Sequence, residues 1–485
     1  MSEIKKGERL TLTITDLNNL GCGVGHAPDG RVVFVKGAVS GDTVSAEIIK
    51  INKSFLVAKL LDIVVPSTHR CEEGFCSAPL ACGGCVYRHI TYEHELVLKR
   101  DYVKNSFAKV GLADVSVLPT LHTDKVGAYR NKGQYPVAKT RDGIRAGFYA
   151  SKSHNIIAAD KCALQNPEFA HIVSAICSFA DKNGWSVYDE ESGRGLLRHI
   201  YLRIGEATGE IMLCLVINGE SIPCSENFVE DMRVRFPDVV GILLSINKKN
   251  TNVVLGDRFL TLWGRDYIED ILCDLRFRIS ADSFYQVNRD GAELLYSIAA
   301  DMAELRGNET LIDLYCGTGT IGLSMANKVG KLCGVEIVSA AVECARENAK
   351  RNAIDNAEFF CADAGERETI LRAAGGARPD VVVIDPPRKG STRELVECLA
   401  GLDVPKIVYV SCNPDTLARD CAWFREFGYE IGTVQPVDMF PRTGHVESVV
   451  CLTRRLDVDM RLTPSLVREG LDTVTPVIFE QNSKF

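Results

Sequence analysis

Two Val/Ile-rich runs, 381–384 and 407–410, each end on a short polar turn. Asp385-Pro386-Pro387-Arg388 follows the first and Ser411-Cys412-Asn413-Pro414 the second, with a helical stretch over roughly 393–400 between them. Near-continuous β-branched runs joined through a helix predict buried parallel strands. Ligands of such sheets sit beyond the carboxyl ends of the strands. Asp385 and Cys412 are therefore expected side by side at the rim of one pocket. Whatever else folds must bring a substrate to that carboxylate and that thiol.

Upstream, Leu311-Ile-Asp-Leu-Tyr-Cys-Gly-Thr-Gly reads as a buried strand running into a Gly-rich turn and a helix start. Gly317 and Gly319 permit close backbone approach to a ligand. The spacing is neither G-x-G-x-x-G nor a P-loop. A second short strand ends on Glu336, an acidic residue suited to the two hydroxyls of a ribose, and a third closes on Asp363. Strand–glycines, strand–Glu, strand–Asp and strand–DPPR in succession describe an S-adenosylmethionine-dependent methyltransferase. A nicotinamide enzyme would leave the DPPR and SCNP ends without a role.

The N-terminal part is organised differently. Residues 7–62 carry short alternating runs broken by Asp29-Gly30 and Ser40-Gly41-Asp42, the pattern of a small closed β-barrel. Barrels of this kind often bind RNA, and Arg31, Lys36, Lys50, Lys53 and Lys59 offer phosphate contacts. The run G-x-G-V, G-R-V-V-F-V-x-G-A-V-x-G-D resembles the TRAM domain, an RNA-binding barrel attached to RNA-modifying enzymes. Next, Cys71, Cys76, Cys82 and Cys85 fall within fifteen residues, with paired glycines between the last two. Thiols so close call for a soft metal, zinc or an iron–sulfur cluster. A C-x5-C-x2-C triplet with a distant fourth ligand favours the cluster, and Cys162 is a polar-flanked candidate for that fourth position.

Residues 91–111 read as one amphipathic helix with four basic residues over 99–109. Basic and aromatic residues interleave over 125–150, where Arg130 and Lys132 are candidate RNA contacts. Alternating runs over 195–280 predict an antiparallel sheet.

Composition sets outer limits. A chain of 485 residues is expected to form two to four domains. With 46% hydrophobic and 25% charged residues it has an ordinary globular make-up. No run nears the roughly 18 apolar residues of a membrane helix, and MSEIKKGERL has no signal-peptide core. A cytoplasmic protein with no membrane partner is expected. Eighteen cysteines are many for that setting, where disulfides are rare. A net charge of −8 still allows a local basic groove.

A D-P-P turn alone fits amino-group methylation, but Arg388 stands where those enzymes usually carry an aromatic residue. Cys412 adds a thiol at the next strand end. Methylating a pyrimidine at C5 requires making an unreactive carbon nucleophilic, and thiolate addition to C6 does so. A base must then remove the C5 proton. Cys412 fits the nucleophile, and Glu447, just before the terminal apolar strand, fits the base.

The chain resembles, over nearly its full length, the bacterial RNA uracil-C5 methyltransferases that make 5-methyluridine in 23S rRNA or tRNA. Q-V-N at 286–288, D-L-Y-C-G-x-G at 313–319, D-P-P-R at 385–388, S-C-N-P at 411–414 and G-H-V-E at 444–447 carry the resemblance. It implies S-adenosyl-L-methionine or target contacts at Gln286, Tyr315, Glu336 and Asp385, beside Gly317 and Asp363. It makes Cys412 the nucleophile and Glu447 the base. It also implies a [4Fe–4S] cluster on Cys76, Cys82, Cys85 and Cys162, with Cys71 left over. A TRAM barrel together with a cluster resembles the rRNA-modifying branch, so 23S rRNA is the expected partner and tRNA the alternative. Lys36, Arg130, Lys132 and Arg388 are the candidate RNA contacts.

The expected fold is multidomain: a TRAM/OB-like β-barrel over 1–62, a central α+β domain with the cluster over 63–283, an α/β Rossmann-like methyltransferase domain over 284–455, and a tail over 456–485. A helix near 91–117 is expected to pack with the methyltransferase domain, and the protein to be a monomer. Three rivals remain: a cytosine-C5 methyltransferase, which would need a cysteine after Pro387; an amino-methyltransferase, which would not need Cys412; and an RNA chaperone that binds no cofactor.

Overall fold

The computed structural model describes residues 4–71, 76–78, 81–150, 153, 155–158 and 162–455. The tail over 456–485 lies outside the described residues.

The N-terminal barrel closes through a single bent segment. Arg9–Thr13 pairs antiparallel with Thr43–Ile51, and two residues further on Asp16–Leu17 pairs with Cys22–His26 at the other end of the six-strand order. One stretch of chain thus joins both edges of the sheet, leaving no open edge there. Alternate residues point inward, so Leu12, Val33, Val35, Val44, Ala46 and Leu56 form the core.

The central domain is a seven-stranded sheet over 132–264. It is mixed, not antiparallel as the alternating runs predict. Ile211–Ile217 and Val239–Ile246 are parallel because the helix Ser225–Arg235 crosses between them and returns the chain in the same direction. Every residue of Ile211–Ile217 is buried, as expected for a strand covered on both faces.

The C-terminal sheet contains β1 (Thr310–Leu314), β2 (Lys331–Glu336), β3 (Ala357–Cys361), β4 (Val381–Ile384), β5 (Lys406–Ser411), β6 (Tyr429–Ile431), β7 (Gln435–Val437) and β8 (Glu447–Arg454). Their order is β3-β2-β1-β4-β5-β8-β6, with β7 also paired to β8. The first five are parallel, and β8 runs antiparallel beside β5. The order reverses between β1 and β4, which opens a crevice at their carboxyl ends.

Helix α1 (Tyr92–Lys109) belongs to the N-terminal half of the chain but packs on this sheet domain. Its start is capped by Thr91, whose side chain accepts from the His94 amide, and Glu93 and Glu95 suit the first turn. It ends at Lys109, short of the expected 117, because Gly111 adopts φ +81° and the chain turns over 112–115 before it runs alongside 434–437. Val117 and Leu121 pair there with Val434 and Val437. Val103 and Phe107 share a core with Leu417, Cys421 and Phe424 of α2 (Pro414–Glu426). Tyr102 and Ser106 both donate hydrogen bonds to Asp415 at the start of α2.

Lys99, grouped in sequence with the basic face of α1, is in fact only 2% exposed. Its Nζ donates to Glu95 Oε1 at 2.7 Å, Asp438 Oδ1 at 2.7 Å and the Phe440 carbonyl at 3.2 Å. Tyr92 donates to the other oxygen of Asp438, and the Arg442 amide to Glu95. This buried network ties α1 to the loop that leads into β8. Removing one partner leaves a buried charge uncompensated, which typically destabilises by about 3–5 kcal/mol. Lys99→Met is therefore expected to lower the urea midpoint by that equivalent, read by circular dichroism. A shift worth under about 1 kcal/mol would show that the carboxylates simply protonate.

Candidate active site

Of the sequence-derived residues, Tyr315, Glu336, Asp363, Asp385, Cys412 and Glu447 lie along one edge of the C-terminal sheet. Asp385 leaves β4 and Cys412 leaves β5, and these two strands pair in register. Because β8 is antiparallel, its first residue lies at the same edge. Ser411 opposes Ser448, which brings Glu447 beside Cys412.

The two polar turns brace each other. Asn413 Nδ2 donates to the Arg388 carbonyl at 3.0 Å, while its Oδ1 accepts from the Asp415 amide and caps α2. Pro414 occupies the first turn of α2, where its missing N–H is harmless. Cys412 is thus held between a strand end and a capped helix start.

On β1 and β2 the turn is shaped for close approach. Tyr315 has φ +63°, a strained value for a bulky residue, and Gly317 follows at φ +55°. Both oxygens of Glu336 are oriented by backbone donors, the Gly317 amide at 3.2 Å and the Val338 amide at 2.9 Å. Asp363 lies exposed beyond β3, where it accepts from the Gly365 amide. Gln286 is half-buried and its carbonyl accepts from Asn131, while Asn288 caps the helix Arg289–Ala303 and donates to the Met439 carbonyl. Phe284, beside this motif, is an exposed aromatic that the sequence reading left without a role.

Electrostatically the edge is strongly acidic. Burial pushes Asp385 up to about 7. Burial, with Asp385 nearby, pushes Glu447 to about 8. Burial raises Asp313 to about 7 against the opposing Gly322 amide, with Asp385 and Glu336 adding to the rise. Asp313 Oδ1 is buried without a partner. Burial, then Glu447 and Asp385, carries the Cys412 thiol to about 11, and Arg388 opposes the rise. Cys412 therefore keeps its proton at neutral pH in the free protein. The start of α2 works the other way, since a helix N-terminus favours a thiolate. A clustered set of carboxyls with raised affinity for protons fits a cationic ligand, and a sulfonium with its ammonium group is one.

A cavity of about 290 Å³ opens on Cys412. Arg388, Asn413 and residues 443–446 form one wall. The others come from distant parts of the chain: Asn19 and Leu20 of the barrel, Gly83 and Gly84 of the cysteine loop, Tyr102 of α1, and Arg130. No motif flagged Asn19, Leu20 or Tyr102. His445 also lines the cavity, its imidazole pushed down to about 4 by burial and then by Arg388, Lys99 and Arg130, so it is neutral. Of the four candidate RNA contacts, Arg130 and Arg388 reach the cavity. Lys36 is exposed on the barrel, and Lys132 is half-buried and lowered to about 8 by burial, Arg203 and Arg130.

A second cavity, of about 340 Å³, is lined by Cys76, Cys82, Cys85 and Cys162 among apolar side chains, and it shares Gly84 and Arg130 with the first. Cys71 is not among the described residues that line it. Among the described residues no group of three or more His, Cys, Asp or Glu side chains is placed to hold a metal ion.

Residues 256–455 match the tRNA (Uracil-5-)-methyltransferase family model, and residues 3–61 match the TRAM domain. An uncharacterized RNA methyltransferase of Clostridium acetobutylicum is 42% identical, over 93% of this chain and 98% of its own length. One from Listeria innocua is also 42% identical, over 93% and 99%. The chain belongs to the RNA uracil-C5 methyltransferase family. It is an S-adenosylmethionine-dependent RNA methyltransferase carrying an N-terminal TRAM domain. The crystal structure of Pyrococcus abyssi tRNA (uracil-54, C5)-methyltransferase in complex with S-adenosyl-L-homocysteine matches with a TM-score of 0.74. It is 28% identical and covers 92% of this chain and 100% of that one. No helix among the described residues is long and apolar enough to cross a membrane.

Arg388 lowers the proton affinity of both Cys412 and Glu447. Removing that cation raises both, so a smaller fraction of each is ionised at neutral pH. Arg388→Met is expected to reduce kcat/KM about three- to tenfold at pH 7.5 and to recover toward pH 9. A rise in KM for RNA with an unmoved pH profile would make Arg388 a phosphate contact only.

Proposed function

We propose that this methyltransferase forms 5-methyluridine in RNA through a covalent adduct on Cys412. The observation that carries this reading is the meeting of Cys412, which opens on a cavity, with Glu447 across the β5–β8 pair, both within reach of the Asp385 charge. Gln286, Tyr315, Gly317, Glu336, Asp363 and Asp385 are assigned to the cofactor side. S-adenosylmethionine, when bound, supplies the methyl group that C5 acquires, and its positive charge suits the acidic edge.

The remaining chemistry belongs to the chain. The Cys412 thiol releases its proton to solvent, the resulting thiolate bonds to uracil C6, and the electron pair of the C5–C6 double bond moves toward C5 and the O4 carbonyl. After C5 carries its methyl group, Glu447 takes the C5 proton. That pair re-forms the double bond and expels the Cys412 thiolate, so a C5–H bond has been exchanged for C5–CH3. The uridine must leave its stack to reach the thiol.

We assign a [4Fe–4S] cluster to Cys76, Cys82, Cys85 and Cys162. A lone zinc ion with Zn–S of about 2.3 Å would gather its ligands tightly, whereas these four thiols surround a cavity. Backbone amides already point at the sulfurs: that of Ala78 at Cys76, and those of Leu164 and Gln165 at Cys162. Such a cluster would clamp the loop that presents Gly83 and Gly84 to the catalytic cavity. Together, barrel and cluster favour 23S rRNA as substrate. The Pyrococcus relative favours tRNA as the second reading.

With 5-fluorouridine in place of the target, the adduct cannot lose a proton from C5. Incubated with cofactor and a fluorinated rRNA or tRNA transcript, the protein is expected to form an adduct that mass spectrometry maps to Cys412. Cys412→Ala should lose at least about 1,000-fold in methylation while still binding S-adenosylhomocysteine, and Glu447→Gln should accumulate adduct on unmodified RNA. Methylation retained by Cys412→Ala would point to an amino-group methyltransferase instead.

Protein purified without oxygen should be brown and hold about four irons and four sulfides per chain, and Cys162→Ser should lose both. A colourless protein with one zinc would overturn the cluster.

A further inference from the structure

The barrel loop 18–21 places a large apolar side chain where solvent or RNA must meet it. Leu20 is 64% exposed, yet it lines the same cavity as Cys412. An isolated exposed leucine is ordinary. What sets this one apart is how firmly its turn is held. The Asn18 side chain accepts from the amides of Leu20 at 3.1 Å and Cys22 at 2.9 Å, and the Gly21 amide donates to the Asn18 carbonyl. That carbonyl also accepts from Tyr87, a buried residue of the segment after the cysteine loop. Gly21 has φ +72°, and a Cβ there would stand 2.4 Å from the Val86 carbonyl. On the other side, a Cβ on Gly444 would stand 1.8 Å from the Asn19 carbonyl. The tip is therefore clamped between the cysteine-loop segment and the loop that precedes Glu447.

A rigid apolar tip beside a pocket for an unstacked base has a specific use. Extruding a nucleotide leaves a gap in the stack and exposes the faces of its neighbours. Proteins that open base steps insert Leu, Ile, Phe or Met at such gaps. The geometry points to Leu20 as an apolar wedge that props the RNA stack next to the extruded uridine. The barrel then contributes to target selection at the catalytic centre as well as to general RNA affinity. This rests on the uridine reading above.

The test compares two RNAs with the same target: a hairpin holding the uridine within a stack, and one in which abasic neighbours leave it unstacked. The quantity read is the ratio of kcat/KM, stacked over unstacked. Leu20→Ala is expected to lower that ratio about tenfold, as for loss of one buried apolar side chain, and Leu20→Phe to restore it. Because Leu20 is exposed, an unchanged melting curve checks that the variant folds. A ratio unmoved by Leu20→Ala, with wild type active on both RNAs, overturns the wedge and leaves the uridine reading standing. Wild type that methylates neither RNA overturns both.

Discussion

The antiparallel run of β8 is the constraint on which the candidate site depends. In a wholly parallel sheet the strand next to β5 would start at the far edge, and its first residue would be a full strand length from Cys412. Reversing that one strand brings Glu447 to the thiol, with Ser411 opposite Ser448 fixing the register. A slip of one residue would turn Glu447 to the other face. Register here is set along the whole β5–β8 pair, from Ser411–Ser448 to Lys406–Thr453. The loop before β8 is held from outside the sheet by Lys99 and Glu95 of α1 through Asp438 and Arg442. An N-terminal helix is therefore part of what positions Glu447.

Electrostatics give the edge its character. Asp313, Asp385 and Glu447 all sit where burial favours their protonated forms. Each further negative charge raises the others, so the free site resists full ionisation. A bound cation relieves that repulsion, and the proton affinity of the Cys412 thiol falls with it because Glu447 and Asp385 are among the causes of its rise. The charge of a cationic ligand and the ionisation of Cys412 are coupled by the same Coulomb field that raises the free thiol.

Local pattern made the C-terminal architecture legible. Val381–Ile384 and Lys406–Ser411 are too apolar and too short to be anything but buried strands, and their polar ends mark the ligand edge. What pattern could not carry was direction and distance. Ile211–Ile217 reads like its neighbours, yet its partner Val239–Ile246 is parallel because of a helix lying between them. Lys99 stands among other basic residues in sequence, and only its pairing with Asp438, 339 residues on, accounts for its burial. The same limit applied to Asn19, Leu20 and Tyr102, whose places in the cavity depend on packing between segments far apart in the chain.

Gly444 shows how a motif can mix two physical demands. In G-H-V-E the glutamate faces the thiol, while the glycine answers to the barrel, since any side chain at 444 would strike the Asn19 carbonyl. Gly21 plays the reciprocal part against Val86. Two glycines thus let the barrel loop approach both the cysteine-loop segment and the loop that leads to Glu447, and the cavity on Cys412 is completed by that approach. Leu17 and Val39 of the barrel add an apolar seam with Tyr87, Ile90 and Leu98, which holds the approach in place. The TRAM barrel and the candidate site are therefore joined at the cavity wall, so a ligand that entered the cavity on Cys412 would meet both at once.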